Sequence, residues 1–289
     1  METKETKATQ QVAAAPKKPA APKKAAKKKE GFKGIKAASL VVLVCFIIAI
    51  CIYTLVLGNG ANFQGGSNAN EPANLAGTVY KGGVIVPLIH TLLLTVISLS
   101  IERWLALRTA FGKMSLYKYV QGVRACLAKN DLDGVKKLCD QQGGTVANVV
   151  LATLAKYREV DQDTTGMSKD QKVIAIQKEL DEATALEMPS LQQNLPVLAT
   201  LTTLGVLFGL MGTVFGMIRS FSALAAGGGA DSAALSQGIS EALINTFFGI
   251  VTSALAVITY NYFSNRIDQL TYSLDEVGFT LVQNFSATH

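Results

Sequence analysis

Four uncharged apolar stretches divide the chain, and each is long enough to cross a membrane as a helix. A helix rises 1.5 Å per residue and the hydrocarbon layer of a bilayer is about 30 Å thick, so a span needs about 20 apolar residues. Backbone amide and carbonyl groups find no water there, which predicts that all four stretches are helical. They occupy Ala37–Leu57, the segment between Lys81 and Glu102, the segment between Glu187 and Arg219, and the segment between Glu241 and Arg266.

The net charge of +6 is unevenly distributed along the chain. Residues 1–36 hold 11 Lys and 3 Glu, a net +8, so residues 37–289 carry 6 − 8 = −2. This distribution excludes a highly charged disordered protein and a nucleic-acid-binding domain with basic residues spread over its fold. The Lys/Pro/Ala-rich tail is predicted to be disordered and to attract anionic lipid, and no nucleic-acid partner is expected.

The positions of Lys and Arg predict how the spans are oriented, because cytoplasmic flanks collect these residues. Segments 1–36 and 102–190 hold 11 and 13 of them, whereas the opposite loops, 58–82 and 222–238, hold only Lys81. Both termini are therefore predicted to be cytoplasmic. A cleaved secretory signal is the alternative interpretation of the start, but its basic and apolar regions would both be too long, so an uncleaved anchor is favoured.

The predicted fold class is all-α: a polytopic membrane protein with four transmembrane helices and a helical cytoplasmic domain. Within that domain, Tyr119, Val123 and Leu127 recur at helical spacing. The Gly/Asn-rich loop on the outer side is expected to be a flexible connector. The predicted segments are the tail 1–36, an extra amino-terminal transmembrane helix 37–57, a periplasmic loop 58–82, a transmembrane helix 83–105, the cytoplasmic domain 106–191, a pore helix 192–221, a periplasmic loop 222–238, a pore helix 239–264 and a cytoplasmic tail 265–289.

Enzyme and metal chemistry have no support in the sequence. Only His90 and His289 are available, and the cysteines form no CxxC pair. Walker-type, GxSxG and HExxH motifs are missing as well. No catalytic residue, metal site or cofactor is therefore predicted, and the chain is not expected to be an enzyme.

Small and hydroxyl side chains form stripes on the last two spans. At 100° per residue, the stripe on the third span lies within an arc of about 80°. Its members are Thr202, Gly205, Gly209, Thr213, Gly216 and Ser220. On the fourth span, Ala242, Thr246, Gly249 and Ser253 share one face, and Glu241 and Asn245 lie on another.

Two explanations of these stripes stay open. One is close helix packing, for which Gly209, Gly212 and Gly216 have GxxxG-like spacing. The other is a polar path in which Thr213 and Thr246 form hydrogen bonds with an ion. At 1.5 Å per residue the threonines lie about 9 Å and 7.5 Å along their helices from the outer charges Arg219 and Glu241, which places them at similar depth.

These two spans hold no Asp, Glu, Lys or His between their ends. A proton relay through a bilayer normally needs a titratable side chain inside it. If the helices line a proton path, another protein must therefore supply the central carboxylate.

The paired motifs GLMGTVFGMIRSF (Gly209–Phe221) and GISEALINTFFGIVTSALAVITYNYFSNRID (Gly238–Asp268) resemble the MotA/TolQ/ExbB proton-channel family, and its ExbB-type members most. The segment ERWLAL (Glu102–Leu107) is similar to the charged exit of the family's first helix. The resemblance extends over residues 83–270. Two departures are the additional first span and Gly205-Val206, where many relatives have Ala-Pro.

The resemblance implies an inner-membrane homopentamer around a dimer of single-span ExbD-type subunits, whose transmembrane Asp carries the proton. Such complexes use the proton-motive force to energise a TonB-like protein for outer-membrane transport. Carried onto this chain, the resemblance makes Thr213 and Thr246 pore threonines and Glu241 the outer-end carboxylate of the proton pathway. Alternatives are a stator for gliding or flagellar-type motility, driven by H⁺ or Na⁺, and a structural membrane scaffold.

Overall fold

The structure, a computed structural model, describes residues 37–163, 166–226 and 232–288. Its regular elements there are helices, apart from one isolated bridge between Phe63 and Pro72, which confirms the all-α prediction. The predicted tail 1–36 lies outside the described residues. The main helices are α1 (Ala38–Cys51, continued by a π-helical turn, Ile52–Leu57), α2 (Leu75–Tyr80), α3 (Ile85–Ala110), α4 (Leu116–Leu127), α5 (Leu132–Gln142), α6 (Gly144–Asp161), α7 (Lys169–Gln192), α8 (Leu195–Ala226) and α9 (Ser232–Thr288).

Four helices are long and apolar enough to cross a membrane, as predicted. They are Ala38–Leu57, Ile85–Ala110 and one stretch each within Lys169–Ala225 and Ala233–Thr288. In the most apolar window of the first, 11% of the residues are buried inside the protein, against 50% in the second. The added span therefore lies at the periphery, and α3 lies between it and the α8–α9 pair.

The carboxyl-terminal segment differs from the prediction. Residues 265–289 were predicted as a cytoplasmic tail that follows a pore helix ending at residue 264, but α9 continues without a break to Thr288. The reason is a buried apolar stripe at helical spacing, which packs against the helices of the 106–191 domain. Its members are Ile267, Leu270, Leu274, Val277 and Leu281.

The connector 58–82, which is predicted to lie on the outer side, is also more ordered than the sequence predicts. Asn62 donates its side-chain N–H to the carbonyls of Val56 (2.7 Å) and Leu57 (3.1 Å), which end the π-helical turn. The Tyr53 and Tyr80 rings stack with their centroids 4.6 Å apart, and the Tyr53 hydroxyl donates to the Tyr80 carbonyl. The Asn62 side chain thus supplies hydrogen bonds that water would otherwise donate to these backbone carbonyls, which helps to order the connector.

Helices α4 to α7 form the predicted helical domain, with the expected helix signals at their starts. Asp131 caps α5, and Ser168 forms a capping box with Gln171 at the start of α7. In the core of this domain the Tyr119 hydroxyl lies 3.1 Å from the Cys139 thiol. Burial raises the pKa of Cys139 to about 11, so this thiol stays protonated and inert at neutral pH.

A buried ion pair fixes α3 against the α7–α8 corner. The Arg103 Nε donates to Glu102 Oε2 over 2.7 Å, and its Nη1 donates to the carbonyls of Ser190 and Leu191 at 3.3 Å. Asn194, in the left-handed conformation (φ 64°), forms the corner and donates to the same Glu102 carboxylate. The Glu102-Arg103 motif at the end of the second span is therefore buried, and it holds α3 against the α7–α8 corner.

Candidate functional site

The two small-residue stripes face each other within one protein chain. A side chain added at Gly249 would lie 2.6 Å from the Gly205 carbonyl oxygen and 2.7 Å from Gly209 Cα. One at Gly216 would lie 2.8 Å from the amide nitrogen of Ala242. These glycines therefore allow the α8 and α9 backbones to approach closely, which is the packing explanation of the stripe.

Hydroxyl groups at the two ends of this contact also bond across it. Ser253 donates to the Thr202 carbonyl, and Ser220 donates to the Leu235 carbonyl over 3.1 Å. Thr202 itself donates to Ala199 on its own helix. The structure thus brings Thr202, Ser220 and Ser253 into the packing surface.

Replacing Gly249 by Ala is expected to destabilise the protein. Overpacking costs about 1–3 kcal/mol, which outweighs a gain of up to about 1 kcal/mol from the higher helix propensity of Ala. Ala254 lies on the exposed face of the same helix, so Ala254→Val is the matched control and should leave stability unchanged. Thermal unfolding of the detergent-purified protein measures both variants, and equal unfolding temperatures would contradict the packing role of Gly249.

The two predicted pathway threonines are placed differently from the glycines, because both remain partly accessible. Thr213 donates to the Leu210 carbonyl over 2.6 Å, and Thr246 donates to the Ala242 carbonyl over 3.0 Å. A hydroxyl has one donor and two acceptor lone pairs. The Thr246 hydroxyl also lies 3.4 Å from the Gly209 carbonyl oxygen of α8, so it bonds across the helix contact as well. Since each donor is used within the protein, the lone pairs of each oxygen are left to accept a hydrogen bond from outside.

Thr213 lines an open cavity of about 520 Å³ on the surface of α8. Apart from Ser222, the other lining side chains are apolar, and several are highly exposed within the single chain. They are Val214, Met217, Ile218 and Phe221. A polar acceptor surrounded by exposed apolar side chains is a suitable contact for another membrane helix that carries one polar group.

Glu241 is buried where three helices meet. Its carboxylate accepts a hydrogen bond from Arg219 over 2.8 Å, and the two side chains are 5% and 62% exposed. It rests on Gly83, where any Cβ would overlap a carboxylate oxygen. The positive φ of Gly83 (81°) also favours glycine at this position.

Asn245 lies one turn further along α9 and joins the same cluster. Its side-chain N–H donates to the Gly82 carbonyl over 2.8 Å, while its buried Oδ1 has no hydrogen-bond partner among the described residues. Gly212 leaves the space that the Asn245 side chain fills. The segment before α3 is thus bound directly to the amino-terminal part of α9.

Arg219 and the Gly82-Gly83 pair belong to this cluster, although the sequence alone did not predict their place in it. Arg219 departs from the charge rule that predicts the orientation, and its pairing with Glu241 explains the departure. The sequence signal for this ion pair was that Arg219 and Glu241 lie at the adjacent ends of two consecutive predicted spans. No local signal marked the glycines, because their role depends on a contact between residues 163 positions apart.

Comparison with known proteins gives a consistent set of similarities. Residues 146–276 match the MotA/TolQ/ExbB proton channel family. The Tol-Pal system protein TolQ of Pseudomonas aeruginosa is 26% identical over 211 residues, covering 70% of this chain and 88% of that protein. The biopolymer transport protein ExbB of Pseudomonas putida is 27% identical over 165 residues, covering 57% of this chain and 49% of that protein.

A third relative, the putative biopolymer transport protein ExbB-like 3 of Synechocystis, is 36% identical over 86 residues. This match covers 29% of the chain and 41% of that relative. The chain thus spans less than half the length of two of these three proteins. Both TolQ and ExbB proteins are among the matches, so the similarities do not separate one type from the other.

Proposed function

Because residues 146–276 form a MotA/TolQ/ExbB proton channel family domain, we propose that this chain is the channel subunit of an inner-membrane energy-transducing complex. Relatives at modest identity carry the names TolQ and ExbB. Within this type we propose the ExbB role: a homopentamer around an ExbD-type partner that energises a TonB-like protein. The alternative to the ExbB role, within the same type of complex, is that this chain is the channel subunit of a Tol-Pal system.

The observation that carries the proposal is the contrast between the glycines and the threonines of α8 and α9. The glycines are enclosed between the two helices, whereas Thr213 and Thr246 are partly exposed and each hydroxyl oxygen has lone pairs left to accept a hydrogen bond. A pure packing scaffold has no use for such acceptors. They suit a protonated carboxyl group, whose O–H is a donor, on a partner helix.

The mechanism then follows from the charges. Protons reach the outer cluster of Glu241 and Arg219, pass to an intramembrane Asp of the partner, and leave toward the cytoplasm. Protonation removes the charge of that Asp and so lowers the cost of placing it among the apolar side chains beside Thr213. Repeated deprotonation and protonation of that Asp would rotate the partner inside the proposed pentamer of this chain.

The test is proton flux through proteoliposomes that contain the chain and its single-span partner. Thr213→Val/Thr246→Val keeps the shape of both side chains and removes both acceptors, so flux should fall by about fivefold or more. Thr200→Val/Thr259→Val is the matched control, since these threonines also donate to carbonyls of α8 and α9. Undiminished flux through an assembled double variant would overturn the threonine roles.

Two further measurements separate the alternatives. Flux that requires Na⁺ would favour an Na⁺-driven motility stator over a proton channel. An assembled complex that passes no ion, with or without its partner, would favour the scaffold.

A further inference from the structure

A basic and aromatic groove lies between the carboxyl half of α3 and the middle of α9, apart from the cavity lined by Thr213 and from the Glu241–Arg219 ion pair. Its volume is about 260 Å³. Two arginines and three aromatic residues dominate its lining: Trp104, Arg108, Phe111, Tyr262 and Arg266.

Neither arginine is neutralised by a carboxylate in the described part of the chain. Arg266 lies between two rings, with Cζ 5.6 Å from the Phe111 centroid and 5.5 Å from the Tyr262 centroid. Its hydrogen bonds, to the Tyr262 hydroxyl and Gln269 Oε1, are long at 3.4 Å. Arg108 lies 5.5 Å from the Trp104 centroid and forms no ion pair within the described ranges. Two guanidinium groups therefore bring unused N–H donors to one cavity.

The groove is situated where both spans are predicted to leave the membrane, at residues 105 and 264. Trp and Tyr side chains concentrate at such interfaces, and Arg side chains extend from them toward the headgroups. Exposed apolar side chains continue from the groove into the span along both helices. On α3 these are Ile97 and Ile101, and on α9 they are Leu255 and Ile258.

We propose that this groove binds the phosphate of an anionic phospholipid headgroup. Guanidinium groups bind phosphate oxygens through paired, charge-assisted hydrogen bonds. A headgroup with a net negative charge suits two arginines without counter-ions, whereas the cationic amine of a zwitterionic lipid would meet repulsion. The exposed isoleucines and Leu255 provide the surface for acyl chains, which favours a lipid over free phosphate.

Trp104 is the single tryptophan of the chain, so its fluorescence reports directly on the groove. We would place the full chain in phosphatidylcholine vesicles and add a small, equal fraction of either brominated phosphatidylglycerol or brominated phosphatidylcholine. Bromine quenches only nearby tryptophan. The brominated anionic lipid is expected to quench Trp104 to the same extent at about fivefold lower mole fraction than the brominated zwitterionic lipid.

Arg108→Gln/Arg266→Gln should remove this preference. The matched control is Arg124→Gln/Arg158→Gln, which deletes two guanidinium groups that pair with Glu276 and Asp133 on the water-facing domain. That variant should keep the preference. Because the lysine-rich residues 1–36 are present in every protein compared, lipid that they attract does not affect the difference between variants.

Equal quenching by the two lipids in the wild-type protein, or a preference that survives Arg108→Gln/Arg266→Gln, would overturn the proposal. Loss of quenching on addition of inorganic phosphate would reassign the site to free phosphate and overturn the lipid source. Complete protection of Trp104 from both lipids would mean that protein covers the groove, which also overturns it. None of these measurements depends on ion flux, so the groove and the channel function are tested separately.

Discussion

Replacing Arg103 by Met is expected to lower the free energy of unfolding by about 3–5 kcal/mol, the cost of breaking a buried ion pair. Arg103 is fully buried, and its guanidinium binds the Glu102 carboxylate and the carbonyls of Ser190 and Leu191. Methionine occupies a similar volume but leaves a buried carboxylate charge without this guanidinium, and two carbonyls without their donor. Thermal unfolding of the detergent-purified protein measures the loss.

The double variant Glu102→Gln/Arg103→Met separates charge from packing. It removes both charges, so it should be less destabilised than Arg103→Met alone. The control is Arg124→Met, because Arg124 and its partner Glu276 are each more than 40% exposed and such a pair is worth at most about 1 kcal/mol. A double variant less stable than Arg103→Met would show that packing, and not the unpaired charge, dominates at this corner.

The spans were predictable from sequence because the bilayer imposes a local rule. An uncharged apolar run of sufficient length must be helical wherever it occurs, and the four runs all appear as helices. The continuation of α9 beyond residue 264 was harder to predict, because charged and polar residues such as Arg266 and Asp268 interrupt the apolar run. Its buried stripe, which includes Leu270 and Leu274, is visible in the sequence but has meaning only against the helices that cover it.

The candidate site was predictable in its residue types and not in its contacts. Small residues on two spans indicate either packing or a path, and the angular arithmetic assigned Gly209 and Thr213 to the same stripe. The structure separates them, since Gly209 is enclosed by α9 and Thr213 lies at the edge of that contact. Which side of a stripe meets the next helix depends on the crossing of α8 and α9, which a single helix does not specify.

Glu241→Gln and Arg219→Gln are expected to damage the protein in different ways, although they break the same ion pair. In Glu241→Gln the arginine, already 62% exposed, turns to solvent, so stability should change little. Ion flux should fall by about tenfold or more, because the charge proposed to attract cations to the entrance of the pathway is lost. In Arg219→Gln the carboxylate stays buried without its guanidinium, so the free energy of unfolding should fall by about 1–3 kcal/mol.

The comparison needs two measurements on each variant: unfolding temperature in detergent, and proton flux in proteoliposomes with the single-span partner. Arg124→Gln and Glu276→Gln provide the control pair, since both of those partners are similarly exposed and their replacement should give small, equal changes. Equal losses of stability at Arg219 and Glu241, or undiminished flux through an assembled Glu241→Gln complex, would contradict the assignment. Because the two members of this ion pair are buried to different extents, their variants distinguish two roles: Arg219 stabilises the fold, and Glu241 is the group proposed to bind the ion.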